Sequence, residues 1–181
     1  IKDIYAIGDA AQITDYVTGN ETAVPLAGPA NRQGRLAADH INGNDINYLG
    51  ALGSSVLKIF SLTVAFTGNN ERQLKAKGLN YKAIHAHPAN HATYYPGGAQ
   101  IAMKLLFDPE SGKIYGAQAI GPEGTEKRID IIAAAIKLDG TIRDLPGLEL
   151  CYAPPFSSAK DPVNILGYIA CNVADDIYDV V

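Results

Sequence analysis

The chain has 181 residues, 47% of them apolar and 19% charged, with a formal net charge of −4. That suffices for one or two small globular domains, and the lack of any basic run argues against a nucleic-acid partner. The longest aliphatic run, Ile131 to Ile136, is far short of a membrane span. Cys151 and Cys171 are the only cysteines and form no CxxC framework, which fits a reduced, cytoplasmic compartment. The chain opens at Ile1 without a methionine, inside an apolar run, and reads as a piece of a longer protein.

In chain order, Ile4 to Ala10 predicts a short buried strand ending in Gly8-Asp9. Gly8 allows close backbone approach. Asp9 at a strand's carboxyl end can accept hydrogen bonds from sugar-type hydroxyls, or it can cap the turn at Ala10-Ala11. Pro25 and Gly28-Pro29 then stop any strand, and a helix is expected from Ala30, with Leu36, Ala37 and Ile41 inward and Gly43 as its stop. Its N-terminus would offer free N–H groups to an electron-rich or anionic ring edge. Arg32 and Arg35 serve the same ligand or are simply solvated.

The pair IYAIGDA and PLAGPANRQGRLAADHI resembles the carboxyl-terminal end of the FAD domain in FAD-dependent pyridine nucleotide–disulfide oxidoreductases. The resemblance implies that Asp9, presented by Gly8, holds the FAD ribitol. It also implies that the Pro25-Leu26-Ala27 turn brings the backbone of Leu26 and Ala27 to the flavin pyrimidine edge.

From about Leu49 the composition shifts. Ser54–Phe60 and Leu62–Phe66 are expected strands. Asn70 is a cap for a helix over Glu71–Lys77 that Gly78 ends. Tyr81–His87 alternates as a strand, with Tyr81, Ala83, His85 and His87 on one face. Ile101–Phe107 and Lys113–Ile120 form a hairpin about Asp108–Gly112. Glu126–Leu138 is an amphipathic helix with Ile129, Ile132, Ala133 and Ile136 on one stripe. Thr125 is its expected N-cap, which makes Gly121–Gly124 a plain turn and no phosphate loop. The fold class expected is α+β: an antiparallel sheet with helices on one side, preceded by a short α/β piece of an FAD-binding domain. The expected division is 1–48, 49–175 and a tail, 176–181. His85, His87 and His91 read as ordinary surface histidines and not as a metal site.

Fourteen residues, Cys151 to Asn164, hold three prolines, two serines, Tyr152 and Phe156. Pro154-Pro155 predicts a stiff, extended backbone presenting both aromatics, or a tight loop that braces a helix. Asp161-Pro162 reads as that helix's start, with Asp161 as N-cap and Pro162 in the first helical position. The helix's face includes Val163, Leu166 and Ala170, and Cys171 on that helix is expected to be buried or inert.

HATYYPGG, GPEGTEKRID and YAPPFSSAKDPVN together are similar to coenzyme A-disulfide reductases and their close relatives. The resemblance implies a homodimer in which Tyr94 and Tyr152 reach the partner subunit's active site and assist the departing thiolate. Tyr95 is the alternative to Tyr94, and Phe156 would pack near the partner's flavin or substrate. A phenol is a poor base at neutral pH but an adequate hydrogen-bond donor. Glutathione-type reductases have a histidine-based acid in the matching segment; here a tyrosine stands there. The implied parent uses FAD and NADH or NADPH to reduce coenzyme A disulfide or persulfide. Fragments of an NADH oxidase, or a non-catalytic dimerisation module, are the alternatives. The family's Gly-rich FAD loop, its nucleophilic cysteine and its GxGxxG unit are not in this sequence. The fragment is therefore expected to dimerise, without activity and without retaining FAD.

Overall fold

The computed structural model describes residues 4–178; Ile1 and the last three residues of the 176–181 tail lie outside them. The chain divides into two compact units, Ile1–Gly53 and Ser54–Val181.

In the first unit, strands β1 (Ile13–Thr14) and β2 (Glu21–Thr22) pair antiparallel. The buried Asp15 carboxylate accepts from Val17 N at 2.9 Å and Thr18 N at 3.2 Å, which closes the turn between them. Gly50, at φ 87°, lets the chain return to Thr14, because a Cβ there would lie 2.2 Å from the Thr14 carbonyl oxygen. The strand expected over Ile4–Ala10 does not form, and Ile4, Tyr5 and Ile7 are exposed. A parallel strand draws its hydrogen bonds from neighbouring strands, and no described strand pairs with this segment. Helix α1 spans Ala27–Ile41, three residues earlier than expected. Leu26 stays extended as its N-cap, and Pro29 falls in the first turn, where a missing N–H costs nothing.

In the second unit, β3 (Ser55–Ile59), β4 (Leu62–Gly68), β5 (Lys82–Ala86), β6 (Ala102–Phe107) and β7 (Ile114–Gly121) form one antiparallel sheet. Its order is β3-β4-β7-β6-β5. Helix α2 (Glu71–Ala76) opens with a reciprocal capping box between Asn70 and Gln73. Helix α3 (Thr125–Lys137) packs on β4 and β7 through Ile129, Ile132 and Ile136. Its N-cap is Gly124 at φ 76°, and not Thr125, which is the first helical residue and fully buried. Helix α4 (Pro162–Ala174) packs Val163, Leu166 and Ala170 against β5, β6 and a 3-10 turn at Leu145–Gly147. No helix of the described residues is long and apolar enough to cross a membrane.

Candidate functional site

The site in the second unit starts from the N-terminus of α4. Asp161 Oδ1 accepts from Val163 N at 3.0 Å, and Asn164 Oδ1 accepts from Asp161 N at 3.1 Å, a closed capping box. The Asn164 amide donates to the carbonyls of Leu145 at 2.9 Å and Leu148 at 3.0 Å. The loop from Leu148 to Asp161 is thus pinned at both ends to one helix terminus.

Within that loop, Pro154-Pro155 does not run extended. Phe156 N and Ser157 N both donate to the Ala153 carbonyl, at 2.9 and 3.2 Å, so the prolines form a turn and the tyrosine precedes it. A second loop, His87–Ile101, joins β5 to β6. Asn90 and Ala99 close it, with each N–H donating across the loop mouth at 2.8 Å. Ala92 N then donates to Ser157 O at 3.0 Å and to Pro154 O at 3.3 Å, which joins the two loops.

The tyrosines meet at the outer end of this junction. Tyr94 Oη and Tyr152 Oη lie 3.3 Å apart, though 58 residues separate them in sequence. Their side chains remain accessible, at 76% and 49% exposure. Two phenols in this contact share one proton and leave the second O–H free to donate outward. Tyr152's hydroxyl, and then the partial desolvation around it, hold Tyr94's phenol above its ordinary value. Tyr94 therefore stays protonated, a donor and not a base, across the physiological range. Tyr95 points elsewhere, edge-on to the His91 ring at 5.8 Å. Phe156 is exposed on the same loop as Tyr152.

One group beneath the loops carried no signal in the reading of the α3 segment. Arg128 is 1% exposed and Asp161 2%. Arg128 Nη2 donates to Asn90 O at 2.8 Å, to Asp161 Oδ2 at 3.1 Å and to Ser157 Oγ at 3.2 Å, while Nη1 reaches Gly124 O at 3.0 Å. Ser157 Oγ itself donates to Asp161 Oδ2 at 2.6 Å. The detectable signal is that Arg128 sits on the apolar stripe of α3, in phase with Thr125 and Ile132.

One further expectation needs correction. His91 is buried, with Nδ1 3.1 Å from Ala92 O, whereas His85 and His87 lie exposed on β5 and just beyond it. Among the described residues no three His, Cys, Asp or Glu side chains gather to hold a metal. Cys151 is exposed, and Cys171 is half-buried with Sγ 3.5 Å from Ile142 O.

In the first unit, Asp9 is exposed in a turn at Gly8, where φ is 82° and Ala11 N donates to Gly8 O at 3.1 Å. Gly8 N donates to Gln33 Oε1 at 2.7 Å. Gln33 is buried on α1, so one side chain fixes the Gly-Asp turn relative to the helix. The first turn of α1 carries no acidic residue and no side-chain cap. Among the described residues no side chain caps that turn, which lies beside exposed Pro25 and Ala27 and half-buried Leu26, whose own N–H donates to Val24 O at 2.9 Å. A Gly-Asp carboxylate and an uncapped helix N-terminus, held together by Gln33, suit a ligand that offers both hydroxyls and an electron-rich edge.

Residues 54–162 match the family described as pyridine nucleotide-disulphide oxidoreductase, dimerisation domain. The chain is 37% identical over 171 residues to coenzyme A disulfide reductase of Staphylococcus aureus, covering 94% of this chain and 39% of that protein. Among solved structures, reduced CoADR-RHD of Bacillus anthracis superposes with a TM-score of 0.96 at 55% identity, over 98% of this chain and 32% of that one. The NAD-dependent persulfide reductase of A. fulgidus gives 0.96 at 36% identity, over 100% and 34%. The chain thus spans about two fifths or less of these relatives. An antiparallel sheet backed by helices, a loop pair joined at its base and these likenesses lead to one assignment: the chain belongs to the pyridine nucleotide-disulphide oxidoreductases, and residues 54–162 are their dimerisation domain.

Proposed function

We propose that this chain is the carboxyl-terminal part of a homodimeric, FAD- and NAD(P)H-dependent reductase that cleaves coenzyme A disulfide. In this reading Tyr94 and Tyr152 serve the partner subunit's active site. The observation that carries it is the exposed 3.3 Å contact between the two phenols. A purely structural pair would be buried or would stack its rings. An accessible pair of hydroxyls leaves one O–H available to a ligand.

The net reaction converts one disulfide, two electrons and two protons into two thiols, with NADH and a solvent proton as the source. FAD, when bound, relays the electron pair from nicotinamide to sulfur. Asp9 would accept hydrogen bonds from its ribitol hydroxyls, with Gly8 giving the close approach. The backbone at Leu26 and Ala27, beyond Pro25, would face its pyrimidine edge, with the Ala27 N–H as donor, since Leu26 N already donates to Val24 O. Phe156 would pack near the flavin or substrate of the other subunit.

The chemistry of the tyrosines follows from their pairing. A thiolate leaving a disulfide gains negative charge on sulfur. One phenol of the pair donates to that sulfur as charge develops while the other donates to its neighbour's oxygen, and the proton then moves from oxygen to sulfur or arrives from solvent through the phenol pair. Tyr94, a neutral phenol at neutral pH like any tyrosine, has its proton affinity raised further by the Tyr152 hydroxyl. Donation of this kind contributes about 10²–10⁴-fold in rate. A second reading, reduction of a coenzyme A persulfide, draws on the likeness to the A. fulgidus persulfide reductase. It uses the same donors on a different leaving sulfur.

The test is Tyr152→Phe and Tyr94→Phe in the complete flavoenzyme, with the two half-reactions followed separately. Flavin reduction by NADH should proceed normally while thiol production from coenzyme A disulfide falls at least tenfold. Undiminished thiol production by both variants would refute the reading. Turnover on a persulfide with none on the disulfide would favour the second one.

A further inference from the structure

We infer that Arg128 and Asp161 are the positioning residues of the tyrosine pair: their buried ion pair sets the separation of the two loops that carry Tyr94 and Tyr152. The inference rests on the reading of those tyrosines as donors to a leaving sulfur.

The geometry is specific. A single guanidinium nitrogen, Arg128 Nη2, touches both loops, at Asn90 O on the Tyr94 side and at Ser157 Oγ and Asp161 Oδ2 on the Tyr152 side. Asn90 is also the residue that closes its own loop against Ala99. Asp161 in turn caps α4 with its other oxygen. The positions of Tyr94 and Tyr152 are therefore referred to one fixed point on α3. Gly124 makes room for that point, since a Cβ there would lie 2.4 Å from Arg128 Nη1.

Energetics argue that stability alone does not explain the pair. Two charges removed from water cost about as much as their attraction returns, so such a pair adds little net stability over apolar residues of equal size. Arg128 Nε is also buried with no acceptor among the described residues, a further cost. What the pair supplies and apolar residues cannot is direction. A planar fork fixes several acceptors from different segments in one arrangement. A phenol pair donating to a leaving sulfur needs that arrangement, because a misplacement of about 1 Å can cost 10²-fold in rate.

The experiment uses the complete flavoenzyme with Arg128→Lys, which keeps the charge and removes the fork, and with Ser157→Ala, which keeps both charges. Each is combined with Tyr152→Phe, and 3-fluorotyrosine at position 94 is titrated by ¹⁹F NMR. Arg128→Lys should lower kcat for disulfide reduction by about 10²-fold with KM little changed, and Ser157→Ala by several-fold. Adding Tyr152→Phe to Arg128→Lys should cost little more, because the tyrosine's contribution is already lost, and adding it to Ser157→Ala should cost less than in the wild type by the several-fold already lost. The Tyr94 titration should move down toward that of a free fluorotyrosine in both variants, as it should in Tyr152→Phe. A merely structural role would lower the melting temperature without moving that titration or the additivity. Arg128→Lys within twofold of wild type, or losses that multiply in full with Tyr152→Phe, would overturn the inference. If Arg128→Lys does not fold, Ser157→Ala decides by the same criteria. Tyr152→Phe without effect on its own would instead overturn the reading on which the inference rests.

Discussion

Residues before Ser54 leave Ile4, Tyr5, Ile7, Ile41 and Leu49 exposed, whereas those after it bury Ile84, Leu105, Leu106, Ile129, Ile132 and Leu166 almost completely. Secondary structure in the second unit is set by apolar pattern: alternation along β5, apolar and β-branched runs in the other strands, and an i, i+3, i+4 stripe in α3. Order in the first unit is set instead by polar side chains bonded to backbone, Asp15 at the β1–β2 turn and Gln33 at Gly8. The difference teaches where each unit is vulnerable. A packed sheet fails through its core; the Gly-Asp turn fails through one amide.

The largest effect that separates the units is a matched pair of truncations. Ile132→Ala should cost the second unit about 2–5 kcal/mol through lost burial and a cavity, read as a lower urea midpoint. Ile41→Ala, at a position 65% exposed, should stay within about 0.5 kcal/mol. Comparable losses from the two would erase the contrast.

A smaller effect sharpens the other side. Gln33→Leu removes the acceptor for Gly8 N and should release about 1 kcal/mol of local order. Gly8 amide exchange should then rise several-fold, while the exchange of β6 and β7 amides stays fixed. Protection of Gly8 unchanged from wild type would show that Gln33 does not hold the turn.

The smallest effect is a pH dependence confined to the second unit. Hydrogen bonds from Lys104, then Tyr81, hold the Glu71 carboxyl down at about 2. A depressed carboxyl contributes stability in full above its unfolded value near 4.5, and that contribution fades as pH falls toward 2. Glu71 is 31% exposed, so solvent screening limits the amount to roughly 1 kcal/mol or less. Glu71→Gln should flatten the melting temperature over that acid limb, lying slightly below the wild type at pH 7 and converging on it near pH 2. An acid limb of undiminished steepness would assign the dependence to other carboxylates.

Much of the second unit was legible because its signals are local. Asn70 with Gln73, Asp161-Pro162 and the Asp108–Gly112 turn each declare themselves within five residues, and the strands are rich in apolar and β-branched residues. What was missed depends on distant partners. Ile4–Ala10 has a strand's composition, but its hydrogen bonds would have to come from other strands. Thr125 is a better cap than glycine by composition, yet Gly124 holds the position because Arg128 needs the space a Cβ would fill. His91 looked like a surface histidine beside His85 and His87, but the loop closure at Asn90 turns it inward. Arg128 drew no attention because charged helical residues are usually solvated; its acceptors come from three segments far apart in sequence. At the candidate site the tyrosines were named from motif resemblance, and their 3.3 Å contact is the part no spacing could supply.

The central claim is that Tyr94 and Tyr152 act together on a sulfur in the partner subunit's active site. The most direct test is a crystal structure of the complete flavoenzyme with coenzyme A held in mixed disulfide at its active-site cysteine. The account predicts at least one of the two phenol oxygens, contributed by the partner subunit, within hydrogen-bonding reach of the coenzyme A sulfur, with the pair still in contact. Both phenols remote from the sulfur, or contributed by the same subunit as the cysteine, would contradict it.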